Sequence, residues 1–407
     1  MGKRFGFLYE KIYEWDNLLN AFNKAKKGKS NKKEVLEFEY DLENILIKIQ
    51  KQFAGQNYKF SGYKTFQIYE PKERLISCAP FKDRVIHHAI CNIINPIIDK
   101  SIISDSYACR KGKGLHHAIK RAYYFYRNSK YVYKFDIQKY FYTIDHEILL
   151  NKLKRKIKDP RLLRLLDDLL ATYNYADDSL SEELSLLFPR RISSLLDSSS
   201  YAFVGVSQRD DNNLSEEFLE ENSHDLSRRS LAKTEESHPN CNIRKRGLPI
   251  GNLTSQLFAN FYFSDFDHFC KERLKCKYYI RYMDDVLIFG NSKLELEKVK
   301  QDVEKELSEI RLHIHPNKNQ ISKTDHGINF LGFRFKDNQI RLQNRNLVRF
   351  KHKLHGFASR EISIEEIILS FNGHLGYFNS GHCRKIISNI LDEYEFTDGR
   401  KVYKLAI

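Results

Sequence analysis

The run Tyr278-Tyr-Ile-Arg-Tyr-Met-Asp-Asp-Val-Leu-Ile-Phe289 constrains this chain more than any other stretch. Apolar, β-forming segments flank two adjacent carboxylates, which predicts a tight β-hairpin with Asp284 and Asp285 at its tip. Two like charges there cost energy unless a cation sits between them. An Asp-Asp pair by itself reads as a solvated turn; the apolar flanks bury this hairpin and leave its acids at a cleft. The chain has 407 residues, 41% of them hydrophobic, ample for the core such a hairpin needs.

A second strand-like run, Lys134-Phe-Asp-Ile-Gln-Lys-Tyr-Phe141, ends in an acid and enters a turn. Alone, Asp136 reads as a helix cap or an ion-pair partner. Beside the hairpin it can complete a three-carboxylate site for two divalent cations. Such a site activates a 3′-hydroxyl and stabilises departing pyrophosphate.

The rest of the pattern alternates helical and β-like signals. Helices are expected over Leu19–Lys26 and Lys33–Phe53, and β-structure over Tyr58–Ser77, with Pro71-Lys-Glu turning a hairpin. Further helices are expected over Asp83–Ile102, Asp145–Lys156, Leu162–Tyr173, Ser255–Leu274 and Ser292–Ile310. Strands are expected over Tyr131–Ile137, Asn329–Phe335 and Gln339–Leu342, and the tail from Asn344 reads as all-helical with a break at Asn372-Gly. Between Tyr175 and Asn240 stand 14 acidic and 6 basic residues with 14 serines, which reads as a surface insertion or a partner-docking module.

The formal charge is +15 despite that acidic stretch, and 24 Tyr and 28 Phe accompany a single Trp, Trp15. Cations interleaved with aromatics suit nucleic acid, though composition alone leaves an acidic substrate or a membrane surface open. No apolar run reaches the roughly 18 residues that span a bilayer. The start, Met1-Gly-Lys-Arg-Phe-Gly, lacks a signal core. Seven scattered cysteines without a Cys-x-x-Cys pair argue against a zinc ribbon or disulfide framework and for a reducing cytoplasm. The pairs His87-His88 and His116-His117 lack metal-ligand spacing and read as packing or backbone contacts.

Arg74 through Arg84, Asp136 to Phe141, Gly247 to Gln256, Tyr282-Met-Asp-Asp285, Lys318 and Gly327-Ile-Asn-Phe-Leu-Gly332 together resemble the ordered motifs of reverse transcriptases. Leu248-Pro-Ile-Gly-Asn-Leu-Thr-Ser-Gln256 is similar to the diversity-generating retroelement branch. Retroviral and intron enzymes carry Gln at the place of Ile250 and Pro at the place of Gln256. Ser106-Tyr-Ala-Cys-Arg-Lys-Gly-Lys-Gly114 and Gly373-His-Leu-Gly-Tyr-Phe-Asn-Ser-Gly381 are similar to the same branch. The acidic stretch is longer than that branch leads one to expect.

The resemblance implies an α+β right-hand polymerase. A helical extension would occupy 1–55, fingers and palm 56–335 with the insertion at 175–240, and a helical thumb 340–407. It implies RNA-directed DNA synthesis, error-prone as in a diversity-generating retroelement; an antiphage-defence enzyme acting with a noncoding RNA and a non-catalytic RNA-binding scaffold are the rivals. Asp136, Asp284 and Asp285, helped by the Ile137 carbonyl, would bind two Mg²⁺, with Mn²⁺ as a substitute. Lys318 would protonate the departing pyrophosphate. Arg74 and Lys82 would grip the triphosphate, Phe141 would exclude a 2′-hydroxyl, with Phe135 or Tyr140 as alternatives, and Ile250 and Gln256 would complete the nucleotide site. Ile250 offers no hydrogen bond where Gln would, which loosens nucleotide selection. Arg110, Lys111, Lys113, Tyr282 and Met283 would contact template and primer, and Lys351-His-Lys-Leu-His would track phosphates. Partners would be an RNA template, a DNA or RNA primer and dNTPs, with a noncoding RNA or a small basic accessory protein, and no membrane. No second acid cluster for RNase H or endonuclease chemistry is visible.

Overall fold

The computed structural model describes residues 4–69, 73–175, 244–359, 384–397 and 402–403. The acidic stretch from 176 on, Pro71-Lys72 of the expected turn, the Asn372-Gly break and the 373–381 motif lie outside the described residues.

Helices α1 (Tyr9–Ile12), α2 (Trp15–Lys26), α3 (Lys33–Tyr40) and α4 (Leu42–Ala54) realise the expected N-terminal helices, with a break at Asp41. Their inward stripe of Leu18, Phe22, Val35, Phe38, Leu46, Ile49 and Phe53 is buried. Phe22 stacks on Phe38 with centroids 5.6 Å apart, and both rings meet Phe81 edge-on. Strands β1 (Lys64–Ile68) and β2 (Arg74–Cys78) form an antiparallel ribbon with Ile68 opposite Arg74. Phe81 opens α5 (Phe81–Asp99), so the N-terminal helices share one core with the centre of the chain. Helix α6 (Leu115–Arg127), which the sequence reading passed over, buries Ala118, Ile119, Ala122 and Phe125.

Strand β3 (Tyr131–Ile137) is followed by α7 (Tyr140–Thr143), α8 (His146–Lys156) and α9 (Pro160–Ala171). The Asp145 carboxylate caps α8 by accepting from Ile148 N at 3.1 Å. Asp159 caps α9 and also accepts from Leu8 N and Tyr9 N, tying the N-terminus to this helix. The expected helix over 255–274 is realised as α10 (Leu253–Tyr262), α11 (Ser264–His268) and a π-helical turn, Phe269–Arg273. Then come β4 (Tyr278–Tyr282), β5 (Asp285–Gly290), α12 (Lys293–Glu309) and β6 (Ile314–Lys323). The four strands form an antiparallel sheet in the order β4-β5-β3-β6.

Side-chain alternation assigns the faces of this sheet. Tyr133, Phe135, Tyr279, Val286 and Ile288 belong to the core under helices α5 and α8 to α10. Val132, Ile280, Leu287 and Phe289 belong to a second core with α6 and the C-terminal elements. Those elements are β7 (Ile328–Phe330), β8 (Phe333–Lys336), β9 (Gln339–Leu342), α13 (Asn344–Ala358) and α14 (Arg384–Asp392). The tail is not all-helical: β10 (Phe396–Thr397) pairs with β11 (Val402–Tyr403). The chain is α+β, and no helix among the described residues is long and apolar enough to cross a membrane.

Candidate active site

Tyr282 pairs with Asp285, so β4 and β5 are joined by a two-residue loop, Met283-Asp284. Met283 adopts φ +58°, a left-handed position that costs a non-glycine residue on the order of 1–2 kcal/mol. The surroundings hold it there. Arg281 Nη1 donates to the Met283 carbonyl at 3.0 Å, and the same guanidinium grips Asp267 through Nε at 2.8 Å and Nη2 at 2.7 Å. Asn260 Oδ1 accepts from Arg281 Nη1 at 3.0 Å, and Tyr279 Oη donates to Asp267. Arg281 and Asp267 are both 0% exposed. The sequence carried a signal for this network: Arg281 shares the inward parity of Tyr279 in an otherwise apolar strand.

Asp136 lies opposite Asp285 across the β3–β5 pair. The Asp136 and Asp284 carboxyls meet in hydrogen-bond contact, and burial together with the Asp136 charge raises Asp284 well above the usual carboxylate range. Asp285 is pushed up to about 6 by burial, against the pull of Lys134. Its Oδ1 lies 3.6 Å from Lys134 Nζ and is buried without a hydrogen-bond partner. Lys134 itself donates to the Asn329 carbonyl at 2.6 Å.

Lys318 sits within β6, where Phe135 pairs with Asn319 but Ile137 pairs with Ile314. The chain between them bulges opposite Asp136, and Lys318 Nζ donates to Asp136 Oδ2. A bulge re-aims a side chain that a regular strand would direct elsewhere. Two carboxylates are thus in contact, the third flanks them, and two ammonium groups offset their charge. Among the described residues no three His, Cys, Asp or Glu side chains converge on one point. The donor set still fits a hard divalent cation: carboxylate oxygens, one of them buried and unpartnered, held against mutual repulsion. Asp136, Asp284 and Asp285 would hold such ions, with Ile137 buried at the end of β3 beside them.

The loop carrying Ile250 docks on β2. Ser77 N donates to the Ile250 carbonyl at 2.9 Å. Asn252 clamps the same strand, donating to the Ser77 carbonyl at 2.9 Å and accepting from Ala79 N at 3.3 Å. Gly251 has φ +115°, and a Cβ there would meet Ile76 Cγ2 at 3.0 Å. Leu248 N donates to the Phe141 carbonyl at 2.7 Å, so the loop also holds α7. Sequence reasoning missed the clamp by Asn252. Arg74, exposed at the start of β2, acts electrostatically on Tyr142 of α7. The structure therefore brings Arg74, the Ile250 loop and Phe141 together around α7, whose Tyr140 lies within the field of the Asp284 charge. Phe141 is partly buried, whereas Tyr140 and Phe135 are 3% and 0% exposed.

Other candidates stand apart or are occupied. Lys82 Nζ lies over the Tyr58 ring at 5.0 Å and contacts Gln52 Oε1 at 3.4 Å. Gln256 lines a groove of about 410 Å³ with Lys24, His88 and Cys109, which includes none of the aspartates. Arg110 is committed to its own loop, donating to Asp99 Oδ1 at 2.6 Å and to the Ile103 and Ser106 carbonyls. Lys111 is exposed, and Lys113 donates to the Ser104 carbonyl at 2.8 Å. Tyr282 is half-buried in the second core, and Met283 packs against the first.

The family model described as "Reverse transcriptase (RNA-dependent DNA polymerase)" matches residues 64–186 and 196–335, more than half of the chain. Among curated proteins, the chain is 25% identical over 388 residues to a COX1/OXI3 intron 2 protein of Saccharomyces cerevisiae, covering 89% of this chain and 43% of that protein. It is 24% identical over 337 residues to the COX1/OXI3 intron 1 protein of the same yeast, covering 78% and 38%. The chain therefore spans less than half the length of these relatives. A solved telomerase from Candida albicans aligns over 76% of this chain and 52% of its own, with a TM-score of 0.40 and 13% identity.

Proposed function

The chain belongs to the reverse transcriptase family, with its α+β right-hand polymerase fold, and on that premise we propose that it is an RNA-directed DNA polymerase. The observation that carries this reading is the contact of Asp136 with Asp284 at a strained hairpin tip, with Asp285 beside them. Paired, half-buried carboxylates are costly, and nucleotidyl transfer is a reaction that uses them.

When bound, two divalent ions, Mg²⁺ in the first instance, supply activation of the primer 3′-hydroxyl and charge neutralisation at the pyrophosphate. The chain's own residues do the rest. Arg74 would bind the triphosphate as a cation, and Lys82 would join it on leaving Tyr58 and Gln52. Phe141, tied to the Ile250 loop through its carbonyl, fills the volume a 2′-hydroxyl would need. Lys318 holds a proton at Nζ against Asp136 Oδ2, where it can be passed to the leaving group. Tyr282, Met283 and the basic residues Lys111 and Lys113 would meet template and primer.

The Leu248–Gln256 motif supports the finer reading of an error-prone, diversity-generating enzyme acting in the cytoplasm on an RNA template with a DNA or RNA primer. The acidic stretch favours a second reading, an antiphage-defence enzyme with its own noncoding RNA. Sequencing the RNA and cDNA that co-purify with the chain separates them: adenine-specific substitutions in a repeat-derived cDNA support the first, and accurate copies of one noncoding RNA support the second. The polymerase reading itself is tested by dTMP incorporation on poly-rA/oligo-dT. Activity in the wild type and its loss in Asp136→Asn are expected; full activity in that variant would sink the assignment.

A further inference from the structure

Outside the aspartate site, one cleft combines cations with aromatic faces. It encloses about 320 Å³ and is lined by Tyr107, Lys113, His117, Lys120, Arg121 and Tyr124, with Gly112 at its rim. None of these is acidic, and none belongs to the site around Asp136. His117, Lys120, Arg121 and Tyr124 follow one another at helical spacing and present one face of α6.

Each group is set by its own contacts. Arg121 Nε donates to Asp105 Oδ1 at 3.0 Å, and its guanidinium lies 4.6 Å from the Phe125 centroid and 5.7 Å from that of Tyr124. Asp105 also accepts from Lys271 at 2.8 Å, so two cations over-match its single charge. Lys113 Nζ stands 5.0 Å over the Tyr107 ring. His117 Nδ1 lies 3.0 Å from the Lys113 carbonyl; because a carbonyl only accepts, Nδ1 carries the proton, and in the neutral ring Nε2 is then an acceptor. Tyr124 is 52% exposed, yet Tyr278 meets it edge-to-face at 6.3 Å. A ring braced by a neighbour and still open to solvent is a stacking platform.

We propose that this cleft binds a single-stranded segment of RNA. A base stacks on Tyr124, phosphates meet Lys113, Lys120 and Arg121, and a ribose 2′-hydroxyl donates to His117 Nε2. Bases in a duplex are already stacked on one another, so the open ring selects unpaired RNA. The inference rests on reading the chain as a nucleic-acid polymerase and adds an RNA contact outside its catalytic residues.

The test is fluorescence anisotropy of the full chain with a labelled single-stranded RNA, the same sequence as DNA, and an RNA duplex. Tyr124→Ala should weaken single-stranded RNA binding about tenfold and duplex binding much less, while Tyr124→Phe should keep it. Lys120→Ala should lower the slope of log affinity against log salt by roughly 0.7, and His117→Phe should shrink the preference for RNA over DNA. Unchanged affinity and slope, or equal losses on single strand and duplex, would overturn the proposal. So would displacement by poly-glutamate as efficient as displacement by RNA, which would make the cleft a surface for acidic proteins. Incorporation on poly-rA/oligo-dT is measured alongside. Incorporation without cleft-dependent binding overturns the cleft alone; cleft-dependent binding without incorporation overturns the polymerase reading alone.

Discussion

Asp284 and Asp285 bind protons more tightly in the folded chain than an exposed carboxylate would, because burial and neighbouring acids disfavour their charged forms. Their raised values contribute stability to the metal-free fold that is fully present below about pH 4, where unfolded carboxylates titrate, and is lost as pH rises through about 6 for Asp285 and about 7 for Asp284. Asp284→Asn, which cannot ionise, should therefore stabilise the metal-free chain at pH 8 by on the order of 1–2 kcal/mol. Melting curves should show that gain vanish near pH 4, and a gain independent of pH would contradict the electrostatic account. Phe141→Ala should admit ribonucleotides, because Tyr140 and Phe135 are too buried to take over: Tyr140 Oη is bound to the Ala259 carbonyl at 2.6 Å. An unchanged rNTP/dNTP preference would place the gate elsewhere. Ile250→Gln adds one hydrogen-bonding group while Ser77 still pins the backbone. Restoring a contact of ~1 kcal/mol should lower misincorporation opposite adenine roughly fivefold, read by sequencing cDNA from a defined RNA. Slower synthesis with the same error spectrum would count against it.

The hairpin is the element on which the site depends, and its conformation rests on the buried Arg281–Asp267 pair. Arg281→Met leaves Asp267 buried without its partner and should cost about 3–5 kcal/mol. Adding Asp267→Asn removes the stranded charge while keeping an acceptor for Tyr279, so urea denaturation should show much of the stability restored. Primer extension should stay impaired, because nothing then donates to the Met283 carbonyl. Recovery of both would reduce Arg281 to core packing. The hairpin itself was legible from the apolar, β-forming runs on either side of Asp284-Asp285. Helix α6 left a signal that was passed over, apolar residues at 115, 118, 119, 122 and 125. Strand β6 left almost none. Ile314-His-Pro-Asn-Lys-Asn-Gln-Ile-Ser-Lys323 is polar, contains Pro and lies at the sheet edge, and its pairing is supplied by β3. For the same reason Lys318 could be matched to a motif, while its approach to Asp136 through a bulge could not be read. The loop role of Arg110 depends on carbonyls that only the folded backbone brings together.

At the scale of the molecule, the described part closes on itself where the acidic segment departs. Tyr175 N donates to the Arg246 carbonyl at 2.8 Å, and Arg246 N donates to Asn174 Oδ1 at 3.0 Å. Joining points this close need only a short connection, and loop length weighs lightly on stability. Replacing residues 177–243 with a brief Gly/Ser linker should therefore keep the melting temperature within a few degrees and retain dNTP incorporation; collapse of either would show that the segment is part of the fold. The proposed chemistry depends on the three aspartates, and one measurement addresses them most directly. Single-nucleotide incorporation on poly-rA/oligo-dT is followed across a Mg²⁺ titration for the wild type and for Asp136→Asn, Asp284→Asn and Asp285→Asn, with RNA binding recorded in parallel. The wild type should incorporate dTMP with a saturable dependence on Mg²⁺, and Asp136→Asn and Asp284→Asn should bind RNA normally and incorporate nothing at any Mg²⁺ concentration. Wild-type-like incorporation by either of those two variants would contradict the account.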